Sequence, residues 1–155
     1  MADIVEKLAA GIHEDWRQGP WSKKPHLDVP YDQLAPADQE ANRAAARRMA
    51  DVLAHAGLGL TTAEQAAANT PAADGIASSM EAHMERLAEA EHDGWMAQRA
   101  KDGWRYGSPR DDARKLHPSM VPYRDLPDSE KEKDRAAVRN YPKQAAAAGL
   151  VIVRR

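Results

Sequence analysis

The chain contains no cysteine and no phenylalanine. The first absence excludes disulfides, thiolate nucleophiles and cysteine zinc sites, and it fits a reducing, intracellular compartment. The second leaves four Trp and four Tyr as the whole aromatic content of 155 residues, so the core must be unusual. Long apolar runs are missing as well. No stretch approaches the roughly 20 residues of a membrane-spanning helix. "MADIVEKLAAGIHEDW" has neither the basic start nor the unbroken apolar segment of a secretion signal. The expectation is a soluble, cytoplasmic protein with no membrane partner.

A large charge of one sign is lacking too. The net charge of −2 argues against a general nucleic-acid coat. The charges are nevertheless unevenly spread: residues 99–124 hold seven Lys and Arg against three Asp, whereas residues 1–60 hold seven basic and nine acidic side chains. The basic window surrounds "GWRYGSPRDDARKLHPSMVPY", residues 103–123.

What the sequence does contain is an internal repeat. "LAAGIHEDW" (8–16) aligns with "LAEAEHDGW" (87–95) at a shift of 79, matching Leu8, Ala9, His13 and Trp16 with Leu87, Ala88, His92 and Trp95. From "VPYDQLAPADQEANRAAARRMADVLAHAGL" onward the shift becomes 92, against "VPYRDLPDSEKEKDRAAVRNYPKQAAAAGL". Alanine-rich helices match by chance, but a shared His, Trp, VPY and Gly do not follow from composition. The change in shift gives the second copy about 13 extra residues, where "KDGWRYGSPRDD" sits.

Periodicity supplies the elements. A helix is predicted over Asp3 to Arg17, with Val5, Leu8, Ile12 and Trp16 on one face, and its counterpart over Ser79 to Lys101, opened by Ser78. After each VPY comes a helix of about 20 residues, near Ala37 to His55 and Ser129 to Ala148, closed by Gly57 and Gly149. Pro142 should kink or restart the later one, and "VIVRR" could add a strand. The expected fold class is mainly α: a tandem, pseudo-two-fold helical repeat with two long helices per repeat and minor short β-strands. Residues 1–60 form a degenerate repeat, 61–78 a linker and 79–155 the full repeat, both repeats sharing one compact module.

"LAEAEHDGW", "GWRYGSPRDD", "KLHPSMVPYRDLPDSEKEKDR" and "AAAGLVI" resemble the RyR domain, the repeat named after the ryanodine receptor, which also occurs in bacterial and phage proteins. The resemblance covers residues 80–152 fully. It covers 3–60 in reduced form, since the first copy lacks the Gly-Trp-x-Tyr-Gly-x-x-Arg-Asp loop. It implies a ligand-binding or interaction module rather than an enzyme: a sensor or sponge holding an adenine-nucleotide-derived signal between its two repeats. Carried over by position, Trp16 and Trp95 would face each other across a base, and Arg99 would reach the phosphates.

The residues themselves allow plainer roles. Trp16 and Trp95 end apolar stripes and could be core. His13, His26, His55, His83, His92 and His117 include no pair at zinc-site spacing, so no metal is expected; His13 and His92 read as helix residues bonding the loop before VPY. No serine stands in a nucleophile elbow. Asp111 and Asp112 could form an acid–base dyad, but between arginines they read as turn caps or partners of Arg110 and Arg114. No catalytic residue and no cofactor are expected.

The long loop reads as a plug and a site at once: Trp104 fills a hole, and Arg105, Arg110, Arg114 and Lys115 are held toward an anion. The candidate ligand-binding set is Trp16, Trp95, Arg99, Arg105, Tyr106, Arg110 and Lys115, with the VPY tyrosines Tyr31 and Tyr123. The partner is a small nucleotide-derived anion. The alternatives are a protein-interaction module without a small ligand, its partner a second copy or another protein, and a single-strand nucleic-acid binder. Basic residues clustered in one loop, rather than spread along a face, argue against the last.

Overall fold

In the computed structural model, residues 2–19, 24–68 and 75–155 are described. Helix α1 (Ala2–Gln18) turns Leu8, Ala9 and His13 inward. Helix α2 (Pro36–Ala54) starts with proline in its first turn, where a missing N–H leaves nothing unpaired. It buries Ala46, Met49, Val52 and Leu53. Gly57 and Gly149 both follow helices with positive φ, 71° and 74°, a conformation open to glycine without the clash a Cβ would bring.

The chain leaves α2 into strand β1 (Leu58–Thr62) and then a short helix, α3 (Ala63–Ala68). β1 pairs antiparallel with strand β4 (Leu150–Arg154), from Leu58 opposite Arg154 to Thr62 opposite Leu150. "VIVRR" is therefore a strand, but its partner lies across the boundary expected at residue 60. "LGLTT" is short and interrupted by a glycine, which weakens its strand pattern; its pairing with β4 makes it a strand.

The single helix expected from Ser79 is two. Helix α4 (Ile76–Ala82) and helix α5 (Met84–Lys101) meet at His83, whose φ of −111° leaves the helical region. Ser78 is an interior residue of α4, because the apolar stripe of Ile76, Met80 and Met84 starts two residues before it and is buried. Burial of that stripe outweighs a cap worth about 1 kcal/mol.

After α5 the long loop forms a small parallel pair, β2 (Arg105–Tyr106) with β3 (Leu116–His117). Asp111 Oδ1 accepts the backbone N–H of Arg114 at 3.1 Å, and Asp112 holds Arg110 Nε at 2.7 Å. The two aspartates thus cap a turn and tether an arginine, as the sequence suggested. Helix α6 (Asp128–Arg139) ends at Asn140, and helix α7 (Tyr141–Ala147) restarts with Pro142 in its first turn.

One core joins both halves. Leu8, Met49 and Leu53 belong to the same buried cluster as Leu87, Val138, Tyr141 and Leu150. α1 packs against α2 and α7, while α5 packs against α6 and α2. Both turns at VPY are tied alike. His13 Nε2 lies 2.7 Å from the Val29 carbonyl and His92 Nε2 2.7 Å from that of Val121. Tyr31 donates to Glu6 and Tyr123 to Glu85, each at 2.9 Å, and Arg43 and Arg135 reach the same two carboxylates. The histidines bond the first residue of VPY itself, not the loop before it.

Candidate ligand cleft

One turn after another of α5 presents Glu91, His92, Trp95 and Arg99, so a single helix face carries a carboxylate, an imidazole, an indole and a guanidinium. This face borders a cleft of about 440 Å³, completed by Arg48 of α2, Arg110 and His117 of the loop, and Asp134 of α6. A second cleft, of about 510 Å³, is bordered by His13 and Trp16 of α1 and Asn42 of α2, and shares Arg48 and Arg99 with the first. Both volumes lie in the range of small-molecule sites, roughly 300–1,000 Å³.

Each tryptophan is held by the histidine three residues before it. His13 and Trp16 stack with ring centroids 5.8 Å apart and planes at 21°; His92 and Trp95 stack at 5.5 Å and 26°. Trp95 also takes the edge of His117 at 5.0 Å. The VPY bond that fixes each histidine therefore also fixes the indole beside it.

Arg99 differs from its neighbours. Its guanidinium lies 5.9 Å from the Trp95 centroid and 5.2 Å from that of Trp104, and no carboxylate pairs with it among the described residues. The other cations of the cleft are committed. Arg48 Nε donates to Glu91 at 2.8 Å, Arg110 to Asp112 at 2.7 Å, and Lys133 to Glu130 at 3.2 Å. Trp104, half-buried, is the plug the sequence suggested, with Arg99 and Arg110 both within 6 Å of its ring.

The two histidines of the Trp95 cleft are electrically opposite. For His92, burial works against the charged form, but Asp134, 3.4 Å from Nδ1, and the Val121 carbonyl outweigh it and raise its pKa. For His117, burial and then the charges of Arg110 and Arg99 push the pKa down. His117 Nδ1 accepts the Ser119 backbone N–H at 3.0 Å, which leaves Nε2 of the neutral ring as a donor.

Of the residues singled out in the sequence, Trp95, Arg99 and Arg110 meet in one cleft, and Trp16 lies in the adjoining one with Arg99. Trp16 and Trp95 thus border separate clefts. The remaining five are placed otherwise. Tyr123 is buried with its hydroxyl on Glu85, its pKa pushed up to about 12 by burial and then by that carboxylate. Tyr31 is tied to Glu6 in the same way. Lys115 Nζ donates to the Asp102 carbonyl at the end of α5, at 2.7 Å. Arg105 and Tyr106 are exposed on β2 and border neither cleft.

Three further residues complete the cleft without standing out in the sequence: Arg48, His117 and Asp134. Arg48 resembles part of a solvated face in "ANRAAARR". Its signal is on the other helix, where Glu91 sits four residues after Leu87 and four before Trp95, inside an apolar stripe. A carboxylate there needs a buried cationic partner. Gly94 makes room for it: a Cβ at that position would meet Arg48 Cγ at 2.8 Å.

The glycine in "HDGW", the plug tryptophan of "GWRYGSPRDD" and the histidine-bound turn of "VPY" are thus parts of one frame around the Trp95 cleft. The sequence pattern of the RyR domain matches residues 72–154, which contain all three, and the chain belongs to the RyR domain family.

Proposed function

We propose that the chain binds a small anionic ligand derived from an adenine nucleotide in the Trp95 cleft, and that it senses or sequesters this ligand without turning it over. One observation carries the reading. Arg99 is a guanidinium beside a cleft with aromatic neighbours and no carboxylate partner among the described residues. A phosphate gives such a group charge-assisted bonds in a planar, two-pronged geometry. The Trp95 indole borders the cleft and offers an aromatic surface to a purine, and base stacking contributes roughly 1–3 kcal/mol. Neutral His117 adds a donor that remains available at neutral pH.

Titration of the full chain with AMP, followed by calorimetry and tryptophan fluorescence, tests the reading. Binding with quenching is expected, together with a loss of about 5- to 150-fold in affinity in Trp95→Ala, the equivalent of the stacking energy. No binding of AMP, ADP or ATP, with no nucleotide released from the denatured protein, sinks the proposal. Unchanged affinity in a folded Trp95→Ala protein removes the stacking role.

A further inference from the structure

The buried ring of His92 stands between two acceptors. Its Nε2 lies 2.7 Å from the Val121 carbonyl, and its Nδ1 lies 3.4 Å from Asp134 Oδ2. A carbonyl can only accept, so Nε2 carries a proton; a neutral ring would then turn the bare lone pair of Nδ1 toward a carboxylate. The imidazolium removes that conflict. Resting on the reading of the Trp95 cleft as an anion site, we infer that a proton on His92 sets its affinity: the anionic ligand binds together with the imidazolium and is held less tightly once that proton leaves.

The charges at the cleft give the reason. Arg48 is matched by Glu91, Arg110 by Asp112 and Lys133 by Glu130. Asp134 has no cation but His92 among the described residues. With His92 charged, each carboxylate bordering the cleft is therefore matched, and Arg99 supplies one positive charge in excess. With His92 neutral, the unmatched Asp134 offsets Arg99. Burial keeps solvent ions from screening this difference as they would at an open surface.

The other groups that face His92 leave the role to it. On α5, exposed Asp93 adds to the pull on the proton. In the VPY turn, the Tyr123 ring lies 6.2 Å away, with burial and then Glu85 pushing its pKa up to about 12. Across the cleft, burial and then Arg110 and Arg99 push His117 below 6.5, whereas Asp134 and Val121 outweigh burial and hold His92 above it. Of the two histidines, His92 is the one that changes charge above 6.5. At a shift of 92, Asp134 is matched in the first copy by Asn42, an uncharged amide that borders a cleft with His13. The carboxylate is thus particular to the second copy.

The experiment titrates the full chain and Asp134→Asn with AMP from pH 6.5 to 8.5, by calorimetry in two buffers of different ionisation enthalpy. Binding should take up protons, and wild-type affinity should fall about threefold or more across the range. The AMP phosphate titrates at a pH of about 6, and the charge it gains with rising pH opposes this fall, so it does not produce it. Asp134→Asn should bind more tightly than wild type at pH 8.5 and give a flat profile, because the amide removes both the negative charge and the pull that keeps the proton on His92. In the wild type, saturation with AMP should move the titration of the His92 ring nitrogens, followed by NMR, to higher pH. If AMP binds equally well throughout, or if Asp134→Asn keeps the wild-type slope, the inference is excluded and the nucleotide reading stands. If AMP binds at no pH, both fall. The NMR titration needs no variant: a His92 titration unmoved by AMP excludes the inference even where Asp134→Asn does not fold.

Discussion

Arg48 of α2 donates through Nε to Glu91 of α5 at 2.8 Å, and the other oxygen of Glu91 accepts the hydroxyl of buried Tyr141. One carboxylate, 10% exposed, thus joins an arginine from the first half to a tyrosine from the second. Burial, with Glu91 alongside, raises the Tyr141 pKa well above that of a free phenol, so its hydroxyl stays a donor. Removing the carboxylate strands a largely buried guanidinium and a buried hydroxyl. Breaking such a pair from one side costs about 3–5 kcal/mol. Chemical denaturation of Glu91→Ala should show a loss of that order. Glu91→Gln, which still accepts from one partner, should lose less.

Gly94 belongs to the same contact. An added Cβ would press on the Arg48 side chain, and Arg48 is the flexible partner that must yield. Gly94→Ala should therefore bring part of the Glu91→Ala loss, even though alanine is the better helix former by about 1 kcal/mol. If Gly94→Ala stabilises the protein instead, the clamp contributes nothing.

A second expectation concerns the halves. Residues 1–70 contain α1, α2, β1 and the short α3 but lack β4, the strand that satisfies β1, and lack Leu87, Val138 and Leu150 from the shared core. A fragment of residues 1–70 should show no cooperative thermal transition by circular dichroism, because its two long helices cannot cover each other's apolar faces alone. A sharp transition would show that the first half is an independent domain.

The helices and their glycine ends are legible in the sequence because they depend on local spacing: Leu8 with Ile12, Met49 with Leu53, Gly57 and Gly149 one turn past the last buried residue. That His13 and His92 make matching bonds is legible from their matched places in the sequence, but the acceptor is not: it is the first residue of VPY rather than the loop before it. The start of α4 is not, because the Ser78 cap is a local signal, whereas the burial of Ile76 depends on the distant β4 strand. The cleft is half legible. Trp95 and Arg99 share one helix face and can be found by counting, but the loop arginines all look alike in sequence. Only the folded loop commits Lys115 to the end of α5 and turns Arg110, not Arg105, toward the cleft.

Stability should depend on pH in two opposed ways. The folded His92 has a pKa above the usual 6.5, so its contribution is fully present below that value and is lost as pH rises through the raised folded pKa. The folded His117 has a pKa below 6.5, so its contribution is present above 6.5 and is lost as pH falls toward the depressed value. Melting temperatures of wild type, Asp134→Asn and His117→Gln across pH 5 to 8.5 separate the two. Relative to wild type, Asp134→Asn should lose most at the acid end of the range. His117→Gln should instead reduce the gain of stability with rising pH near and below 6.5. Parallel curves for all three proteins would mean that neither histidine carries a pH-dependent share of the stability.

Arg99 and Arg110 should not be equivalent, although both guanidinium groups border the Trp95 cleft and both lie near Trp104. Arg110 is exposed and already bonded to Asp112, so a ligand must compete with that carboxylate. Arg99 has no such competitor among the described residues, and a phosphate there adds bonds worth about 1.5–3 kcal/mol. Arg99→Ala should thus weaken AMP binding about tenfold or more, and Arg110→Ala clearly less. Arg99→Lys should restore only part of the loss, because an ammonium keeps the charge without the planar fork. Asp112→Asn should strengthen binding modestly, since it releases Arg110. Lys7 on α1, exposed and outside both clefts, is the control: Lys7→Ala removes only a screened, distant charge. Calorimetric titration of these five proteins with AMP at two salt concentrations gives the ranking. Similar small losses at Arg99, Arg110 and Lys7, with a steep salt dependence, would describe a diffuse polyanion surface rather than a cleft. Equal losses at Arg99 and Arg110 with no gain in Asp112→Asn would mean that the missing carboxylate partner of Arg99 has no bearing on ligand recognition.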